Sequence, residues 1–143
     1  MMRALPLLML LAACGPIPRD PDGTSEAIAA RGHIRVGITT DTGTLAGEPG
    51  RIADLLRALR TPSRIERGAT EPLLTRLEEG ELDLVLTPLA ADTPWATRLT
   101  LGPSLLADDV AGKTHELRPA MRMGENAFIG RVHTAALAVG GTP

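Results

Sequence analysis

The sequence contains no tyrosine, one phenylalanine (Phe128), one tryptophan (Trp95) and one cysteine (Cys14) among 143 residues. Aromatic rings supply much of the contact area in ligand pockets and interface hot spots. A chain with two of them has little material for stacking sugars or bases, or for caging a cation. A lone cysteine excludes an internal disulfide and a site built from several thiolates. An excess of one charge is missing too. Fifteen Lys and Arg stand against 17 Asp and Glu, a formal net charge of −2, and the basic residues are spread rather than clustered. That pattern argues against nucleic acid as a partner. There is no P-loop, no dinucleotide fingerprint and no serine elbow. His33, His115 and His133 lack metal-ligand spacing. Neither a cofactor nor a metal is expected.

What is present begins with "MMRALPLLMLLAACG". Arg3 supplies a short basic end, and the apolar run from Ala4 to Ala13 falls far below the ~20 residues of a spanning helix. The layout is that of a secretory signal. It ends in Leu11-Ala12-Ala13-Cys14, which resembles the lipobox of bacterial lipoproteins. The resemblance implies a signal over residues 1–13, cleaved before a lipidated Cys14 that anchors the chain on the periplasmic side of the cell envelope. Gly15 after the cysteine leans towards the outer membrane. Two or more acyl chains anchor stably where one is marginal. Residues 14–23 carry three prolines and read as an extended tether, leaving residues 24–143 as one domain.

Within that domain helical and strand periods alternate. "TSEAIAARG" reads as a short helix with Ser25 as N-cap and Gly32 as stop. "HIRVGIT" sets Ile34, Val36 and Ile38 at period two, a strand. "RIADLLRALR" puts Ile52, Leu55, Leu56 and Leu59 on one helical face. "SRIERGA" is a short strand. "TEPLLTRLEEG" is a helix capped by Thr70, with Pro72 in its first turn and Gly80 as stop. "LDLVLTPL" is the apolar run of a strand covered on both faces. "HELRPAMRM" reads as a strand that Pro119 pushes to an edge or a bend. "ENAFIGRVHTAALAVGG" is a final helix. Such alternation means an α/β fold, a mainly parallel sheet with helices on both faces. Ligands of such sheets collect at the carboxyl ends of the strands.

The order of three segments resembles a known family. They are "AIAARGHIRVGITTD", "GEPGRIADLLRAL" and "EPLLTRLEEGELDLVLTPLAADTPWATRLTLGP". Together they resemble the first lobe of bacterial extracellular solute-binding proteins of family 3, type II periplasmic binding proteins that serve ABC transporters. "AMRMGENAFIGRVHTAAL" resembles the segment that re-enters that lobe. Between about residues 106 and 114, where the family inserts a second lobe, this chain has only a short polar connection, "ADDVAGK". The resemblance implies a single-lobed domain that binds a small polar solute, amino-acid-like or an organic acid, without catalysis. Its implied partners are a transporter permease or a second protein that covers the cleft. The family's carboxylate-binding arginine has no counterpart at Trp95 or Ala96, and Arg51 stands where many members have an aromatic residue.

Candidate ligand residues are therefore Thr40, Asp41, Thr70 and Thr87 at the strand ends, with Trp95 and Arg98 beyond the buried strand. Each has a structural reading beside the functional one. The threonines and Asp41 serve as caps and turn residues in many loops. Trp95 is either a stacking platform or an apolar plug, and Arg98 either a carboxylate clamp or a solvated loop residue. Asp54 and Asp83 match family positions and read as structural. Two alternatives complete the reading. One is an interaction or dimerisation module that kept the fold and lost the ligand. The other rests on Asp41-Thr42-Gly43, with "AFIGR" later in the chain, and points to an aspartic-protease-like enzyme, an almost entirely β architecture whose paired carboxylates would come from a dimer.

Overall fold

The computed structural model describes residues 20–42 and 44–143. Cys14, the signal and most of the tether lie outside the described residues, as does Gly43. The elements run α1 (Thr24–Arg31), β1 (Ile34–Thr39), α2 (Glu48–Ala58), β2 (Ser63–Gly68), α3 (Thr70–Glu78), β3 (Leu84–Ala90), a 3-10 turn (Pro94–Thr97), β4 (Leu99–Leu101), β5 (Leu106–Val110), β6 (Lys113–Arg122) and α4 (Asn126–Ala138).

One sheet of six strands has the order β2-β1-β3-β6, with β4 and β5 following each other along the far side of β6. β2, β1 and β3 pair in parallel, and β6 is antiparallel to β3, β4 and β5. Only β6 therefore runs against the rest, and the sheet is mainly parallel in strand direction. Helices cover both faces. Ile34, Val36, Ile38, Leu84 and Leu86 pack with α1, α2 and α4, around Leu55, Phe128 and Val132. Val85, Leu89 and Ala120 pack on the other face with Leu73, Leu74 and Leu77 of α3 and with Trp95. Period-two alternation thus divides β3 between two cores, each buried leucine contributing roughly 1.5–3 kcal/mol.

Asp83 locks the sheet from its amino end. Its carboxylate, 1% exposed, pairs with Arg31 at 2.6 Å and Arg35 at 2.8 Å, and it accepts the Arg35 amide at 2.8 Å. This is a structural role. Asp54 pairs with Arg57 at the surface.

Five expectations are corrected. Ser25 lies inside α1 and does not cap it; Gly23 holds the cap position in the left-handed region, and the Asp20 carboxylate accepts the Ser25 amide and hydroxyl. The same carboxylate accepts the amides of Ala127 and Phe128 at the start of α4, while buried Glu125 accepts those of Asp22 and Thr24. The tether thus joins the fold at Asp20 rather than after Gly23. Likewise Thr70 is the first residue of α3 rather than its cap.

Pro119 sits inside a central strand, not at an edge. In an antiparallel ladder one residue's nitrogen and carbonyl face the same neighbour. The Pro119 carbonyl accepts the Gly102 amide at 2.8 Å, so its nitrogen faces the gap where β4 gives way to β5, and the ladder with β3 loses nothing. A Cβ at Gly102 would lie 2.6 Å from the Pro119 ring, which accounts for the glycine. Finally, "ADDVAGK" is not a bare connection. It closes a β5–β6 hairpin through Ala111 and Gly112, both at positive φ (53° and 79°), as a tight two-residue turn demands.

Candidate functional site

The carboxyl ends of β1, β2 and β3 gather threonines. Thr39 donates to the Thr87 hydroxyl at 3.0 Å, and both residues are buried. Exposed Thr40 closes on Gly68, donating to its carbonyl through its amide at 3.0 Å and its hydroxyl at 3.3 Å. Asp41 accepts the Thr70 amide at 2.9 Å and the Thr70 hydroxyl at 2.6 Å. A carboxylate here meets the amide end of α3 and its partial positive charge. The Thr70 hydroxyl bond holds the Asp41 carboxyl below its ordinary value, ahead of an opposing contribution from burial. Asp41 is therefore the cap of α3, 29 positions from the residue it holds. The four helices among the described residues set this fold apart from the all-β architecture that the protease reading requires.

Trp95 and Arg98 form a separate group on the opposite face of the sheet from α2. Trp95 is 6% exposed and belongs to the second core. Its indole N–H donates to Glu71 at 3.3 Å, and the Arg98 guanidinium lies over its ring, 4.7 Å from the centroid. Arg98 is in turn held by Glu78, its Nε at 3.0 Å from the carboxylate. The notch between Glu71, Pro94, Trp95 and Arg98 encloses about 120 Å³. Its charged groups already have partners. Trp95 stands in the core, the position of an apolar plug rather than of a stacking platform.

A larger cleft, about 320 Å³, opens between the carboxyl ends of β1 and β2 and the first turns of α2. The parallel register sets Ile65 beside Val36 and Arg67 beside Ile38. Ile38, Ile52, Ala53 and Ile65 make an apolar floor, with Thr39, Thr40, Thr44, Glu48 and Arg67 around it. Glu48 and Leu45 exchange two hydrogen bonds, amide to carbonyl at 3.0 Å and amide to carboxylate at 2.8 Å, and Glu48 is 5% exposed. The side chains of Arg67 and Thr44 have no hydrogen-bond or ion-pair partner among the described residues. Of the six sequence candidates, only Thr40 lines this cleft. Sequence reasoning missed Ile38, Thr39, Thr44, Glu48, Ile65 and Arg67. The available signal was the strand "SRIERGA" itself: once paired beside β1, its second arginine must stand near the strand-end edge.

No family model matches the chain, and no curated protein matches it. Solved structures do. The Phe57Trp mutant of the arginine-bound form of domain 1 from TmArgBP, the ArgBP of T. maritima, aligns with a TM-score of 0.64 at 12% identity, over 80% of this chain and 96% of that one. An ancestral cationic amino acid solute binding protein gives 0.63 at 11% identity, over 80% and 93%. The VFT2 domain of Bordetella pertussis BvgS, a double mutant, gives 0.60 at 11% identity, over 84% and 93%. Nearly the whole of the isolated domain 1 is matched, so a single lobe is the right unit of comparison. At these identities the likeness establishes architecture: the chain has the α/β fold of one lobe of a solute-binding protein.

Proposed function

We propose that this chain is a non-catalytic solute-binding lobe that works at the carboxyl edge of its sheet on the periplasmic side of the envelope. One observation carries the reading most: the fold matches a lobe, domain 1 of TmArgBP, described on its own in an arginine-bound form. That arginine-bound form of a single domain supports solute binding by one lobe, and in this chain the strand-end cleft has the size of a small-ligand pocket. Affinity is modest, because one lobe encloses only part of a ligand. The lipid anchor at Cys14 belongs to the same proposal, with outer-membrane placement from Gly15, and so does a permease or a second protein that covers the strand-end face. Among the described residues no helix is long and apolar enough to cross a membrane, so attachment would rest on the amino-terminal segment.

Thermal shift against amino acids, amines and organic acids tests the reading. A compound that binds the folded state raises the melting temperature with concentration. Silence across millimolar ligand, joined to concentration-dependent self-association, would transfer the fold to the interaction-module alternative. Cys14→Ser tests the anchor separately: the protein should leave the membrane fraction, and unchanged fractionation would refute lipidation.

A further inference from the structure

We infer that the strand-end cleft takes a small aliphatic monocarboxylate, held by Arg67 over the isoleucine floor, rather than the cationic amino acid named for the structural relatives. The inference rests on the solute-binding reading and specifies its ligand. Arg67 offers a planar fork of N–H donors that nothing among the described residues uses. A free guanidinium beside a cleft favours a carboxylate, which meets the fork with two parallel charge-assisted bonds. It repels a ligand whose own side chain is cationic.

The rest of the lining narrows the class. Ile38, Ile52 and Ile65 suit a short branched hydrocarbon. Both rings of the chain lie in the cores, so nothing aromatic faces the ligand. Among the described residues Arg67 is the one cation in the lining, which matches a single negative charge. The one lining carboxylate among the described residues, Glu48, is buried and bonded to Leu45, so a ligand ammonium group would enter without a free carboxylate to meet it, at a desolvation cost. A carboxylate without an α-amino group therefore fits better than the corresponding amino acid.

The test is isothermal titration of the folded chain with 3-methylbutanoate, L-valine and L-arginine, repeated on Arg67→Ala and Arg67→Lys. The Arg67 side chain is exposed on an edge strand and unpaired among the described residues, so both variants should keep the wild-type melting temperature without ligand. The inference predicts saturable binding of 3-methylbutanoate with a Kd of roughly millimolar order. That binding should weaken about tenfold or more in Arg67→Ala and less in Arg67→Lys. Valine should bind more weakly than 3-methylbutanoate, and arginine should not bind. Preference for valine or arginine would overturn the ligand class and leave the solute-binding reading standing. Equal binding of 3-methylbutanoate by wild type and Arg67→Ala would remove Arg67 from the site. No binding of these three or of any compound in the wider panel would overturn both readings.

Discussion

The cleft beside α2 and the notch beside α3 are built from similar residue types and stand in opposite states. In the notch, Trp95 is buried, its N–H is taken by Glu71, and Arg98 is shared between the ring and Glu78. In the cleft, Arg67 and the Thr44 hydroxyl have no partner among the described residues, and Ile65 is 47% exposed. An arginine and a large apolar side chain thus make a paired cap over a buried ring in one place and an open, unpaired surface in the other. What separates the two is whether the donors are already spent. Residue type drew attention to the notch; pairing draws it to the cleft.

The largest expected effect breaks the closed side. Trp95→Ala should destabilise the domain by about 3–5 kcal/mol, as large-to-small changes in a packed core do, read by urea denaturation. A loss below about 1 kcal/mol would mean that the ring is not a core element and would reopen it as a platform.

Acid provides the next contrast, at a third place where α1 meets α4. Burial acts to raise the carboxyls of Asp20 and Glu125. Hydrogen bonds outweigh it, from Ser25, Phe128 and Ala127 for Asp20 and from Thr24 and Asp22 for Glu125, with the Arg122 charge added for the latter. Both are held below their ordinary values in the fold. Groups lowered in this way give stability that is fully present above the unfolded carboxylate range, ~4, and is lost as pH falls through their folded values. Stability measured from pH 7 down to 3 should fall, and Glu125→Gln should flatten that fall while lowering stability at neutral pH. An unchanged slope in the variant would remove Glu125 from the latch.

Smaller effects sharpen the comparison. Arg98→Ala should cost at most about 1 kcal/mol, since its ion pair is exposed and its contact with the ring is a surface cation–π interaction. Arg67→Ala should change stability by less than about 0.5 kcal/mol, as expected for a surface residue without partners. A clear loss there, measured by denaturation, would mean that Arg67 supports the fold and is not held ready for a ligand.

Much of the architecture was legible because it rests on local rules. The spacing of Ile52, Leu55 and Leu59, the alternation of Ile34, Val36 and Ile38, and the Gly32 stop each encode an element within a few residues. Elements set by distant partners were not legible. The Asp41 cap and the Asp20 and Glu125 latch join residues 29 or more positions apart. β4 has three residues, and β5 is polar because it forms an outer edge. Pro119 is tolerated in a central strand only because β4 and β5 leave a gap opposite it. The lining of the cleft was not legible for the same reason. Thr40, Asp41, Thr70 and Thr87 do gather at the strand ends, yet each is bonded to a neighbour, and the unpaired Arg67 becomes visible only once β2 is registered against β1.

Trp95 is the only tryptophan, so its indole N–H gives one signal in a nitrogen–proton correlation spectrum, while the cleft reports through the backbone amides of Ile38, Thr39, Thr40, Ile65 and Arg67. Titrating the isotope-labelled chain with 3-methylbutanoate compares cleft and notch in one experiment. The account predicts saturable shifts of the cleft amides with the indole signal nearly still. Movement of the indole signal with the β2 amides unchanged would contradict it.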